Sequence, residues 1–186
     1  GTRMRLFDPT GEQGAKVSVF VASLPYSGMV FACACTDERQ DAWLAAHIRA
    51  FEYFGGVAEI VVPDNASTAS NATSAADKNR RINSTYEEFL EHYNTAALPA
   101  RAKRPKDKAN FEAAVKIVTQ KVIHALEGHQ CVGLDELNAQ ITALVDGINT
   151  ATPFRGGDTS RRTLFDESER DLLNCVAENT VAAHRM

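Results

Sequence analysis

No stretch of this sequence approaches the roughly 20 consecutive apolar residues that a helix needs to cross a bilayer. No secretory signal pattern opens it, so the expectation is a soluble, cytoplasmic protein without membrane contacts. A Gly-rich phosphate loop is also missing, and any ATP chemistry would have to belong to a different protein. The four cysteines, Cys33, Cys35, Cys131 and Cys175, lack the paired spacing of a zinc site and are expected as reduced, mostly buried thiols. His124, His129 and Cys131 want a fourth ligand at plausible spacing, which leaves them surface and loop roles. Nor is there a surplus of basic charge. The formal net charge of −4 excludes a protein that coats nucleic acid indiscriminately, so any contact with a polyanion must be local.

What is present is 44% apolar content over 186 residues, enough for the core of one compact domain with a helical appendage. Residues 2–7 alternate and run into Asp8-Pro9-Thr10-Gly11, where proline presets one turn dihedral and glycine tolerates a positive one. Runs rich in Val, Phe, Ala and Cys at 16–24 and 29–36, parted by Pro25-Tyr26-Ser27-Gly28, give a second hairpin. Apolar residues at helical spacing over 38–54 meet Gly55-Gly56, a usual helix stop. The short apolar segment 58–62 reads as a strand buried on both faces. The Ala, Ser, Thr and Asn residues of 66–83 read as a surface loop.

Ser84 with Glu87 forms a capping box for a helix whose inner face is Tyr86, Phe89, Leu90 and Tyr93. A strand at 96–98 follows. A helix over 107–126 carries the stripe Phe111, Val115, Val118, Val122 and Leu126, a second runs over 134–148, and a weaker helical pattern lies near 165–176. The order β-β-β-α-β-α-β-α-α predicts an α/β protein with a ribonuclease-H-like mixed five-stranded sheet flanked by helices. Residues 1–130 would form this core and 131–186 a helical C-terminal extension.

In open sheets of this kind ligands gather at the carboxyl ends of strands. Asp64 sits at such an end, within Pro63-Asp64-Asn65. Glu112 sits early in a helix and off its apolar stripe, where the helix dipole favours negative charge. Carboxylates suit hard cations such as Mg²⁺ or Mn²⁺, and a pair of such ions can drive phosphoryl transfer. Spacing alone leaves open that Asp64-Asn65 is merely a turn and Glu112 merely a dipole partner. Residues 101–108 hold five basic side chains against one acid. Arg101, Lys103, Arg104, Lys106 and Lys108, joined by Lys116 one helical face along, are expected to contact DNA phosphates. For any single one of them a solvated surface role is open.

The stretch Phe51-Glu-Tyr-Phe-Gly-Gly-Val-Ala-Glu-Ile-Val-Val-Pro-Asp-Asn65 resembles the second-aspartate region of IstA-type bacterial insertion-sequence transposases. So does the stretch from Tyr93 through Arg101-Ala-Lys-Arg-Pro-Lys-Asp-Lys to Glu112, which ends where that family carries its catalytic glutamate. The resemblance implies the retroviral-integrase core fold, with Asp64 and Glu112 as the second and third members of an Asp-Asp-Glu triad holding two Mg²⁺ or Mn²⁺ ions. It implies 3′-end cleavage and strand transfer of transposon DNA into target DNA, a homo-oligomer on DNA, and a separate AAA+ ATPase helper. The family's first aspartate lies in a pattern like Asp-Trp-Ala-Gly-Thr. With Gly1-Thr2 opening this chain, it is expected just upstream, which would leave the chain inactive alone. Asp8 belongs to a turn. Ala66-Ser67 stands where the family often has Leu-Lys. A ribonuclease-H-type nuclease, or a non-catalytic DNA-binding or assembly module, would use the same fold.

Overall fold

The computed structural model describes residues 3–7, 13–37, 39–63, 70–71, 81–82, 84–98, 105–129 and 131–176. Strands β1 (Arg3–Phe7), β2 (Gln13–Ser23) and β3 (Val30–Cys35) form an antiparallel sheet in that order, with Arg3 opposite Ser18 and Ser23 opposite Val30. The turn between β2 and β3 closes through Leu24 N–H to the Met29 carbonyl at 3.0 Å, with Gly28 at φ +70°. Side chains on β3 alternate, as the pleat requires. Val30, Ala32 and Ala34 enter one core, while Phe31 and Cys33 enter another. Burial on both faces explains why the segment reads as an unbroken apolar run rather than an alternating one.

Helix α1 (Gln40–Phe54) covers the second face with Ala46, Ala50 and Phe54. It ends as Gly55-Gly56 predicts. Gly55 takes φ +73°, its N–H meets the Glu52 carbonyl, and the Gly56 N–H meets that of Phe51, the paired bonds of a Schellman stop. Val57 then pairs with Asn174 through two backbone bonds of 2.8 Å. A Cβ added at Gly56 would stand 2.5 Å from Leu173 Cβ and 3.0 Å from the Asn174 carbonyl. Gly56→Ala should therefore cost about 2–3 kcal/mol by overpacking. Gly55→Ala meets nothing within 4 Å and should cost about 1 kcal/mol for its positive φ. Urea midpoints of the two variants check this, and an equal loss in both would mean that the 173–174 segment yields.

Beyond Val57 come β4 (Ile60–Val61), β5 (Ser70–Asn71), β6 (Arg81–Ile82), α2 (Ser84–His92) and β7 (Ala96–Ala97). Strand β4 pairs with β7 in parallel and β5 with β6 antiparallel. The α/β class and the element order are as expected, with β5–β6 added where a surface loop was predicted. The described pairing comprises the three-stranded antiparallel sheet and these two-stranded units. No ladder among the described residues joins β1 to β4.

Between α1 and α2 lies an aromatic cluster in which His47 stands 4.2 Å from Trp43, 4.9 Å from Phe20 and 6.0 Å from Tyr86, ring centre to ring centre. His47 is a packing residue, buried among these rings. Burial pushes its pKa down from 6.5 to about 4, opposed by the Nδ1–H bond to the Trp43 carbonyl. Its folded pKa lies below the unfolded value, so the unfolded chain binds the extra proton between pH 4 and 6.5. Stability is full above 6.5 and lost as pH falls toward 4. At about pH 5 the loss should be about 2 kcal/mol relative to pH 7. Unfolding of wild type and His47→Phe at both pH values checks it, since the variant should lack that part of the slope.

Helix α3 (Pro105–Val118) continues through a π-helical turn, Thr119–Ile123, into α4 (His124–Leu126). The wide turn keeps Val118, Val122, Ile123 and Leu126 in one core with Ala114. Helix α5 (Leu134–Thr150) adds Leu137, Ile141, Val145 and Ile148 to that core. It also dresses the outer edge of β3. Asn138 Oδ1 accepts from Ala34 N–H at 2.7 Å and its Nδ2 donates to the Ala34 carbonyl at 3.2 Å. Asn149 does the same at Val30, at 3.0 and 2.7 Å. Two amides thus stand where a further strand would pair. Helix α6 (Arg161–Ser168) and a 3₁₀ turn (Arg170–Leu172) complete the described chain. The helix begins before the predicted 165–176 pattern because Ser160 caps it, its hydroxyl accepting from Thr163 N–H at 3.0 Å. Among the described residues no helix is long and apolar enough to cross a membrane.

Candidate active site

Because β4 and β7 run parallel, their carboxyl ends open on the same edge. Ile60 lies opposite Ala96 and Val61 opposite Ala97, and the Leu98 N–H reaches the Val61 carbonyl at 2.9 Å. Thr95 Oγ1 donates to the Ala58 carbonyl at 2.6 Å, pinning the segment that leads into β4. Asp64 comes three positions after the end of β4 at Val61 and lies outside the described residues, as do Arg101, Lys103 and Arg104. Lys106 and Lys108 are described only as helical backbone at the start of α3. Glu112 and Lys116 are exposed on α3, one turn apart, while Ala114 and Val118 are buried against the sheet. Of the predicted residues, the described structure brings together Glu112 and Lys116.

A cleft of about 260 Å³ opens on another face of α3, with neither Glu112 nor Lys116 in its lining. Ser23 and Leu24 at the end of β2 form one wall, Asn110 and Ala113 of α3 a second, and Phe154 with Arg161 a third. The helical turn that carries Glu112 therefore flanks the end of β2. Among the described residues no group of three or more His, Cys, Asp or Glu side chains could hold a metal ion. The thiols offer no alternative. Cys33 and Cys131 are buried, Cys35 is half-buried, and Cys175 is exposed and unpaired. The hydrogen bond with Cys35, together with burial, holds Cys33 well above the usual thiol range.

Sequence reasoning passed over a polar network behind this cleft. Tyr53 Oη donates to Asp146 Oδ1 at 2.6 Å and accepts from Asn149 Nδ2 at 2.9 Å, and Arg162 lies 3.6 Å from Asp146. Burial first, then Asp146, pushes Tyr53 up to about 12. The available signal was Asn138 and Asn149 themselves, eleven positions and so about three turns apart on one helix.

The integrase core domain model matches residues 4–105, more than half of the chain. The chain belongs to the integrase core domain family. Asp64 falls inside the matched span and Glu112 just past its end. This integrase core chain is 35% identical over 179 residues to the putative transposase for insertion sequence IS1162 of Pseudomonas fluorescens, covering 96% of this chain and 31% of that protein. It is 36% identical over 155 residues to the putative transposase for insertion sequence IS408 of Burkholderia multivorans, covering 83% and 29%. The chain thus spans about a third of the length of the curated relatives it matches. Its fold matches the catalytic core domain of BIV integrase at a TM-score of 0.61 and 15% identity, over 91% of this chain and 94% of that one. The HTLV-2 integrase catalytic core domain in complex with magnesium matches at 0.60 and 14%, over 88% and 92%. The integrase core has the α/β, ribonuclease-H-like fold of integrase catalytic cores, and the resemblance to insertion-sequence transposases read from the two motifs is borne out.

Proposed function

We propose that this chain is the catalytic domain of a DNA transposase that cleaves transposon 3′ ends and joins them to target DNA by metal-dependent phosphoryl transfer. The observation that carries the reading is its likeness, over 96% of its length, to a protein named as an insertion-sequence transposase. Residues 1–130 hold the chemistry and 131–186 buttress it. Strands β1, β2, β3, β4 and β7 make up the five-stranded mixed sheet, with β4 beside β1.

Asp64 and Glu112 hold Mg²⁺ or Mn²⁺. The donor chemistry fits: an exposed carboxylate stands on α3, and hard cations prefer oxygen to the thiols and imidazole packed elsewhere. The HTLV-2 core was solved with magnesium. Ions bound there would activate the attacking oxygen and stabilise the leaving one. The β1–β2 register supports the third carboxylate. With Arg3 opposite Ser18, a first aspartate in an upstream Asp-Trp-Ala-Gly-Thr pattern would stand beside Ser23, on the cleft that Asn110 and Ala113 also line. Arg101, Lys103, Arg104, Lys106, Lys108 and Lys116 neutralise DNA phosphates. The protein works in the cytoplasm as a homo-oligomer on DNA with an AAA+ helper.

The test is nicking and strand transfer on a labelled transposon-end duplex with Mg²⁺ or Mn²⁺, using the chain and a form extended upstream through the expected first aspartate. Activity in the extended form, abolished by Asp64→Asn, is the expected result. Inactivity of both forms with ends and helper supplied would sink the catalytic reading.

A further inference from the structure

We propose that Arg155 and Arg161 form an anion clamp that holds a backbone phosphate of DNA in the cleft between the β2–β3 turn and α3. Phe154 is fixed by a two-bond bridge to Gly157, with N–H to carbonyl distances of 3.1 and 3.0 Å. Its ring closes on Gly28, where an added Cβ would stand 3.0 Å from Phe154 Cζ. The guanidinium carbons of Arg161 and Arg155 lie 4.2 and 4.9 Å from the centre of that ring. Arg155 Nη1 donates to the Tyr26 carbonyl at 2.6 Å and Arg161 Nη1 to the Ile148 carbonyl at 3.2 Å. Both arginines line the cleft.

Each guanidinium has five N–H donors in a planar fork suited to phosphate, and these backbone bonds engage few of them. Among the described residues neither arginine has an acidic partner. The carboxylate at the turn, Glu169, accepts instead from the Tyr26 and Ser27 N–H groups at 3.1 Å. Burial, and then the Arg155 charge, lower the Arg161 pKa. Two neighbouring cations in a cleft with no acid between them are relieved by an incoming anion. The opposite wall is Asn110 and Ala113 of α3, the helix that carries Glu112 on another face. In a chain of net charge −4, such a site meets the requirement that DNA contact be local.

That the anion is DNA rests on the function proposed above, whereas the clamp itself does not. Two measurements separate them. In the first, the extended form binds a labelled duplex of about 30 base pairs at several salt concentrations. The double variant Arg155→Gln/Arg161→Gln should weaken binding about tenfold near 0.1 M salt and lower the salt slope by about two. Arg155→Lys/Arg161→Lys should restore part of the loss. In the second, inorganic phosphate is titrated into the wild-type chain while the arginine side-chain N–H resonances are followed, and those of Arg155 and Arg161 should shift.

Equal duplex affinity and slope in wild type and the Gln variant would overturn the clamp and leave the DNA reading standing. Shifts with phosphate but no duplex binding by the wild type would keep the clamp and overturn DNA as its ligand. Absence of both responses would overturn both, and because the phosphate titration needs no variant, a misfolded double variant cannot mask the answer.

Discussion

Glu112→Gln is expected to lower strand transfer by at least about a thousandfold, roughly 4 kcal/mol of transition-state stabilisation, while changing fold stability by no more than about 0.5 kcal/mol. The two numbers follow from where the residue sits. Glu112 is exposed on α3, away from the buried Ala114 and Val118, so the amide displaces no packed neighbour. The amide loses the negative charge, however, and replaces one carboxylate oxygen with an NH₂ group that is useless to a hard cation. If Glu112 served merely as a partner of the helix dipole, the same change would cost up to about 1 kcal/mol of stability and leave turnover intact. Stability and strand transfer measured on one preparation separate the two roles, and a fall of less than tenfold in transfer would remove Glu112 from the metal site. Lys116→Ala provides the contrast, because losing one phosphate contact should weaken DNA binding at every sequence alike and reduce the salt slope by about one.

Asn149→Ala should be the most damaging single change to stability, at about 4 kcal/mol. The side chain is fully buried and serves Val30 N–H, the Val30 carbonyl and Tyr53 Oη together. Truncation leaves all of these inside the protein at once, without the amide that pairs them. Asn138→Ala removes the matching pair of bonds at Ala34, but that site is half-buried and solvent can reach it, so about 1–2 kcal/mol is expected. Urea unfolding of both variants tests the ranking. Equal costs would mean that the edge of β3 is satisfied by something other than these amides.

The parts of the molecule legible in its sequence are those decided by neighbours along the chain. Pro25 through Gly28 announced the second hairpin, Gly55-Gly56 ended α1, and the alternating and helical periods located the strands and the long helices. The motif around Asp64 and Glu112 indicated the family. What was not legible depends on partners far away. Asn149 reads as an ordinary polar residue on α5 until Val30, 119 positions earlier, is placed beside it. Glu169 looks like one more surface acid until Tyr26 and Ser27 are found against it. The α6 boundary slipped because Ser160 caps the helix ahead of the apolar pattern used to find it. Strands β5 and β6 are too short to carry a period. For the site itself, Glu112 is placed on α3, and Asp64 lies outside the described residues.

The bridge between Val57 and Asn174 also sets an order of events during synthesis. The segment leading into β4 gains this anchor from a residue 117 positions later. At about 5–20 residues per second, the ribosome reaches Asn174 some 6–23 s after Val57. During that interval the antiparallel hairpins, whose contacts are local, can form while the root of β4 still waits for its partner. A nascent chain halted before Asn174 would therefore carry a folded sheet beside an unsecured β4.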